Sequence, residues 1–340
     1  MNIALIIGNG FDINLGLPTQ YKYFYEYYLS LETNKDRLIR NDLEKNLLNW
    51  ADLEKQLGQI STQYTNVNSY IEDIDDISEE LTRYMQAVDK LDLPSLQESS
   101  KIVYEDLCDF TKYLDLPLKN NVNTFIQNLP NEDEIHLHVI TFNYTSVFER
   151  IFEYWDVLPL GKIKEYTLFH IHQKLDEKGI LLGVDNSSQI INPDFRNNYK
   201  VKATLIKPFI NESFQNGINQ DCEKAISQAD IIILFGTSIG ETDQRWWNYI
   251  GDCMYGNKKR LIYCPFDENH ITNMSKILRQ NHDFSDFILN RMISLDTNKR
   301  NDVSRKIIPL RENKMFDFCI SRKQIKLNSL KVMRSINTNN

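Results

Sequence analysis

The chain has 340 residues, enough for one large domain or two ordinary ones, and its 41% hydrophobic and 25% charged residues are the balance of a globular protein. A formal net charge of −8 argues against a general nucleic-acid binder, whose footprint is a basic face. The longest strongly apolar runs, residues 3–7 and 231–235, are far too short to span a bilayer, and no charged n-region with an apolar h-region precedes residue 30. Neither a membrane anchor nor a signal peptide is expected. Five scattered cysteines (Cys108, Cys222, Cys253, Cys264, Cys319) form no CxxC pair, so they read as free thiols of a cytoplasmic protein and offer no zinc site.

In chain order, residues 3–7 (IALII) read as a buried strand that runs into a glycine-rich turn. The turn is Gly8-Asn9-Gly10-Phe11-Asp12, closing with Gly16-Leu17-Pro18. Glycines there let backbone amides approach an anion, and a helix N-terminus adds partial positive charge. The segment is therefore a candidate cradle for a nucleotide phosphate or ribose; its alternative is a tight connection. It is not GxGxxG, because Ile13 stands three residues after Gly10.

Residues 21–29 place Tyr21, Phe24, Tyr25 and Tyr28 at helix-face spacing. From about 40 to 129 almost nothing reads as strand. Tyr70, Ile74, Ile77, Leu81, Tyr84, Met85 and Val88 make one helical stripe, with Glu72, Asp75, Asp76, Glu79 and Glu80 largely off it. With Pro94 and Pro117 as punctuation, 36–129 is predicted to be an inserted all-helical subdomain.

Strands are predicted again at 135–141, 166–171, 180–184, 230–235 and 260–264, with helices at 145–155 and 241–254. Such alternation predicts an α/β fold with a largely parallel sheet covered by helices on both faces, and ligands then sit outside the carboxyl ends of strands. Residues 1–35 and 130–300 would build this domain. Residues 301–340 read as a C-terminal extension, and its basic tail (Arg322, Lys323, Lys326, Lys331, Arg334) as a frayed or surface-docked terminus.

Three more strand ends carry chemistry. After 135–141 comes Thr141-Phe142-Asn143-Tyr144-Thr145, where Asn143 could bind a ribose hydroxyl, position a water, or cap the next helix. After 166–171 come His170 and His172, which face the same side if both lie on the strand. No carboxylate or thiol nearby in sequence completes a metal set. His172, nearer the strand end, is the expected catalytic base, with His170 as its neighbour. His136 and His138 read as structural, and Asp185 as a ligand contact or a turn cap. After 230–235 comes Gly236-Thr237-Ser238, able to donate to phosphate, followed by Glu241 and Asp243 at a helix N-terminus. Those two acids would repel a phosphate, so a ribose or base is their expected neighbour. Trp246 and Trp247 read as core.

The order GNGFD…GLPT, FNYT, HIHQ, FGTSIGETD resembles the bacterial AbiH family, associated with abortive infection against bacteriophage. Trp50-Ala51-Asp52-Leu53-Glu54 also looks like that family's W-x-D-L-E element, and the likeness runs from residue 3 to about 265. More distantly, the chain is similar to sirtuin-type domains, which run GAG(I/S)…GIP, T-x-N-x-D, HG, GTSL. Gly8, Gly10, Gly16, Leu17 and Pro18 answer the first element, Thr141 and Asn143 the second, His172 the third, and Gly236, Thr237 and Ser238 the fourth. Three departures stand out: Asp12 replaces a small residue, Thr145 the aspartate, and Gln173 the glycine after the histidine.

That resemblance implies a Rossmann-like NAD pocket. Its binding residues would be Gly8, Asn9, Gly10, Phe11, Asp12, Gly16, Pro18, Thr141, Asp185, Gly236, Thr237, Ser238 and Glu241, with Asn143 and His172 at the nicotinamide ribose. The leading expectation is an anti-phage protein that hydrolyses the nicotinamide–ribose bond of NAD without a metal. One alternative is a non-catalytic NAD or ADP-ribose sensor. Another is a nuclease or nucleotide hydrolase with Asp12, Asp185, Glu241 and Asp243 around a divalent metal. The helical insert is the expected surface for a second copy or a defence-system partner.

Overall fold

The structure, a computed structural model, describes residues 1–93, 96–155, 161–175, 179–214, 217–265, 274–310 and 315–338. Six strands are found: β1 (Asn2–Ile7), β2 (Ile135–Thr141), β3 (Ile163–His170), β4 (Ile231–Phe235), β5 (Arg260–Cys264) and β6 (Ile307–Pro309). All pair in parallel, in the order β3-β2-β1-β4-β5-β6. This is the Rossmann-like order, with its reversal between β1 and β4.

Parallel strands must be covered on both faces, and β1 shows why its sequence is continuously apolar. Ile3, Leu5 and Ile7 join Leu137, Val139, Ile231, Ile233 and Phe235 in one core. Ala4 and Ile6 join Ile232, Leu234 and Leu261 in the other. The first face is covered by helices Tyr21–Ser30, Val67–Asp89, Val147–Trp155 and Arg322–Thr338. The second carries Ile218–Gln228, Gln244–Met254 and Met274–Arg291, and there Trp246 and Trp247 are buried as core.

Among the described residues, 36–129 holds helices and no strand. Every residue of the predicted stripe from Tyr70 to Val88 is buried, and the stripe merges with the core beneath the sheet. Pro117 lies in the first turn of helix Leu116–Gln127, where a missing N–H costs nothing; Pro94 lies outside the described residues. Asp89, at the end of the long insert helix, accepts from Ser146 N at 2.7 Å and Ser146 Oγ at 2.8 Å. A carboxylate from the insert therefore caps the helix that follows β2.

Two expectations need correction. Residues 180–184 form no strand: Val184 makes a single bridge to Ile206, although Leu181, Leu182 and Val184 are buried. The run is apolar because it lies under the insert, with Gly183 held against the carbonyl of Leu205, not because it joins the sheet. Conversely, β6 falls within the segment read as an extension. It has three residues and ends in Pro309, which only an edge strand tolerates. The basic terminus forms helix Arg322–Thr338, which buries Ile325, Val332 and Ile336, and Asn328 Nδ2 donates to the Gly16 carbonyl at 2.9 Å. No helix among the described residues is long and apolar enough to cross a membrane.

At the reversal the turns after β1 and β4 touch through backbone. Gly8 N donates to Phe235 O at 3.0 Å and Gly10 N to Gly236 O at 2.8 Å. A Cβ on Gly8 would meet Thr237 Cα at 2.6 Å, and one on Gly10 would meet Gly236 Cα at 2.6 Å. Backbone cannot step aside as a flexible side chain can, so overpacking here sits at the costly end. Gly10→Ala should lower unfolding stability by about 3 kcal/mol. A denaturant midpoint equal to wild type would refute the turn-to-turn contact as the reason for this glycine.

Candidate functional site

A cavity of about 1340 Å³ opens at the carboxyl ends of β1, β2, β4 and β5. It exceeds the roughly 300–1,000 Å³ usual for a small-ligand site, so an extended ligand fits its scale. Among the predicted site residues, Gly8, Asn9, Gly10, Asp12, Asn143, His172, Gly236, Thr237, Ser238 and Glu241 all line it. The far wall comes from the insert and the helix before it, including Tyr21, Tyr25, Trp50 and Lys55, and from Phe284, Phe287 and Arg291.

Asn143 and His172 share this cavity. Phe142 and Tyr144, the neighbours of Asn143, both lie against the His172 ring, with centroids at 5.2 and 6.2 Å. Asn143 does not cap the next helix. Its Nδ2 donates to Gly8 O at 3.2 Å and to Asp12 Oδ1 at 2.9 Å. With the amide donors spent, Oδ1 is the atom left to accept from a ligand hydroxyl or a water. Thr145 Oγ1 donates to the second oxygen of Asp12 at 2.8 Å. Burial pushes the Asp12 carboxyl up to about 7, against the hydrogen bonds from Thr145 and Asn143.

The two histidines diverge, because β3 ends at His170 and the chain turns. His170 Nε2 lies 3.1 Å from Glu149 Oε1, and its Nδ1 lies 3.3 Å from the Asn143 carbonyl. Burial would raise the Glu149 carboxyl, but His170 and Lys174 bring it down to about 2. His172 is buried, and its Nε2 lies 2.9 Å from Asp243 Oδ1. Lys207 Nζ reaches the same oxygen at 2.7 Å and Glu54 Oε2 at 2.9 Å. Burial opposes the Asp243 charge, yet Lys207 and His172 hold its carboxyl well below the ordinary range. A carboxylate only accepts, so the ring nitrogen facing it carries hydrogen and Nδ1 holds the lone pair that can take a proton.

Sequence reasoning put Glu241 and Asp243 at a helix N-terminus, and both stand there, but their carboxylates are also engaged with cations the sequence did not point to. Asp243 occupies the N-cap position of Gln244–Met254 without a side-chain capping bond. Glu241 pairs with Lys55 at 2.8 Å and Arg291 at 2.7 Å. Lys207 was missed altogether, since a single lysine in KPFINES matches no motif. Phe11, Gly16, Pro18, Thr141 and Asp185 do not line the cavity. Phe11 is core, 4.7 Å from Phe148 and 6.0 Å from Phe235 between ring centroids. Gly16 faces the C-terminal helix, and the Pro18 carbonyl accepts from Tyr84 at 2.9 Å. Thr141 Oγ1 accepts from Asn143 N at 3.0 Å. Asp185 precedes a short helical turn that Asn186, not Asp185, caps.

Of the two readings of the glycine turn, the geometry matches the tight connection, since the amides of Gly8 and Gly10 are spent on the neighbouring strand end. Two non-glycine residues beside the cavity are left-handed, Gln173 at φ 64° and Ile239 at φ 50°. A β-branched residue there is a genuine outlier, of the kind that clusters at functional sites. Among the described residues no group of three or more His, Cys, Asp or Glu is placed to hold a metal ion.

Fold and site together define a doubly wound α/β protein with a large cleft at its switch point. The profile of the family described as Bacteriophage abortive infection AbiH matches residues 4–264, and the chain belongs to that family. Its role is thereby tied to abortive infection against bacteriophage. No curated protein gives a significant match. The matched stretch runs from within β1 to the end of β5 and includes Asn143 and His172.

Asp12 makes stability depend on pH with an unusual sign. The unfolded carboxyl titrates near about 3.9, the folded one near 7. Between these values the folded protein keeps a proton that the unfolded chain has lost, so stability falls as pH rises. Above that window the full cost persists, on the order of 4 kcal/mol. Asp12→Asn, which can still pair with Asn143 and Thr145, should gain in unfolding midpoint over wild type between pH 4 and pH 8. An equal offset at both pH values would show that Asp12 does not titrate there.

Proposed function

We propose that the cleft binds NAD and hydrolyses its nicotinamide–ribose bond, depleting the nucleotide during phage infection. The observation that carries this reading is that Asn143 and His172 line one cavity at the switch point, with Phe142 and Tyr144, the neighbours of Asn143, lying against the His172 ring. Open α/β sheets bind nucleotides there. Ser238 supplies a hydroxyl donor suited to phosphate, Lys55 and Arg291 offset the charge of Glu241 in the same lining, and the aromatic far wall suits a base.

Bond cleavage passes through a sugar with developing positive charge, and water adds to the ribose carbon that nicotinamide leaves. His172 Nδ1 takes a proton from that water, or from a ribose hydroxyl, and Asn143 Oδ1 accepts from the same group to hold it in place. The balance is NAD and water to nicotinamide, ADP-ribose and a proton. Asp243 stabilises the imidazolium formed on the way, as a buried carboxylate behind a base does.

The departures from the sirtuin-type pattern support the reading once they are placed in space. Asp12 and Thr145 are the two exchanged positions, and they touch: the carboxylate missing from the second element is delivered beside Asn143 by the first. Gln173 stands where that pattern has glycine and holds a left-handed backbone at φ 64°, a conformation glycine adopts freely.

The test is incubation of the purified protein with NAD, NADP and ATP, with and without Mg²⁺, followed by chromatography of the products. Nicotinamide and ADP-ribose should appear from NAD without added metal. His172→Ala should lose roughly 10²–10⁴-fold in turnover while keeping most of its NAD affinity. Calorimetric binding of NAD without products would instead identify a ligand-binding module, and turnover equal to wild type in His172→Ala would remove the imidazole from the mechanism.

A further inference from the structure

Charged side chains are seldom fully buried unless paired, and Lys207 is a buried lysine outside the cavity. Its place is fixed by backbone: Val184 N donates to Leu205 O at 2.7 Å and Lys207 N to Val184 O at 3.0 Å. Its ammonium sits between Asp243 and Glu54, all three nearly shielded from solvent. The four groups come from four separate segments. Glu54 belongs to insert helix Leu53–Ile60, Lys207 opens helix Lys207–Phe214, Asp243 follows β4 and His172 follows β3. Next to Glu54, Lys55 grips Glu241, two residues from Asp243. The start of one insert helix thus clasps the turn after β4 at two adjacent points, once directly and once through Lys207.

We infer that Lys207 and Glu54 are positioning residues for His172, forming with Asp243 a relay of buried charges that carries the docking of the helical insert to the imidazole. The inference builds on His172 as the base. An isolated carboxylate behind a histidine can rotate or attract a proton; here the ammonium pins one oxygen while the imidazole takes its share of the same atom. Glu54 in turn fixes the ammonium. Both its oxygens are used, Oε2 by Lys207 and Oε1 by Gly183 N at 3.3 Å. Removing so specific a partner leaves a buried charge uncompensated, which is where such chains are sensitive.

The relay has a signature that packing alone cannot produce. The groups facing His172 are Asp243 and Tyr144, with Lys207 and Glu54 behind Asp243, and Asp185 acting on Asp243 by its charge. Loss of the cation should make protonation of His172 easier, and loss of the far anion should make it harder. The two substitutions therefore push in opposite directions.

The experiment is a pH titration by NMR of the full-length, unliganded protein carrying labelled histidine, with His172 identified among six histidines by His172→Gln. Lys207→Met should raise the His172 midpoint by about one pH unit, and Glu54→Gln should lower it. The double variant Glu54→Gln/Lys207→Met, with its buried charges matched, should fall between them. If Lys207→Met does not fold, the downward shift in Glu54→Gln carries the test alone. No shift in Glu54→Gln, or shifts of the same sign in both variants, would overturn the relay. The readout needs no substrate, so opposite shifts in a protein that leaves NAD intact would keep the relay and sink only the hydrolysis reading.

Discussion

The contact between the turns after β1 and β4 is the constraint on which the rest of the structure depends. The order of strands reverses there, so the two turns face one another with no crossover helix between them, and backbone approaches backbone. Only residues without a Cβ permit that approach, and the same contact uses the amides of Gly8 and Gly10. Asn143 then reaches across from the end of β2 to the Gly8 carbonyl, which ties the neighbouring strand end to the pair. The crevice around Asn143 exists because three strand ends are held this close. Glycines in such a turn report first on how the protein packs against itself and only second on what it binds.

What could be read from residues alone follows from how much of the environment is local. Strands buried on both faces betray themselves by unbroken apolar runs, and all five strands expected at residues 3–7, 135–141, 166–171, 230–235 and 260–264 are present. The stripe from Tyr70 to Val88 is legible for the same reason, since one helix presents one face. Residues 180–184 fail the test because their burial comes from the insert, which no local pattern announces. β6 fails because three residues ending in proline carry almost no period.

The site divides in the same way. Asn143 and His172 stand at strand ends, where position in an α/β sheet is itself a signal. Glu54 was visible as part of a family element, with no role attached, and Asp243 was visible at a helix N-terminus but not as the partner of His172 and Lys207. Lys207 carried no signal at all. Its meaning is wholly relational: a lysine becomes informative only when two buried carboxylates, 153 and 36 residues away in sequence, are found on either side of it. Composition, spacing and periodicity cannot encode a pairing across such separations.

Burying these charges is not a route to stability. Desolvation of a buried ion pair commonly cancels its attraction, and an apolar replacement of similar volume is often as stable or more so. Nor does a left-handed Ile239 help, when such a conformation costs of order 1–3 kcal/mol. Both features lie where β4 and β3 end, against the cavity, and the packed layers above and below the sheet are what hold them there. The two cores supply the surplus of folding energy, and the strand ends consume part of it to keep Asp12 buried with its carboxyl raised, Asp243 ionised and His172 held against Asp243. A fold that needed only to be stable would have no reason to place these groups together, and their convergence on one crevice marks it as the working part of the molecule.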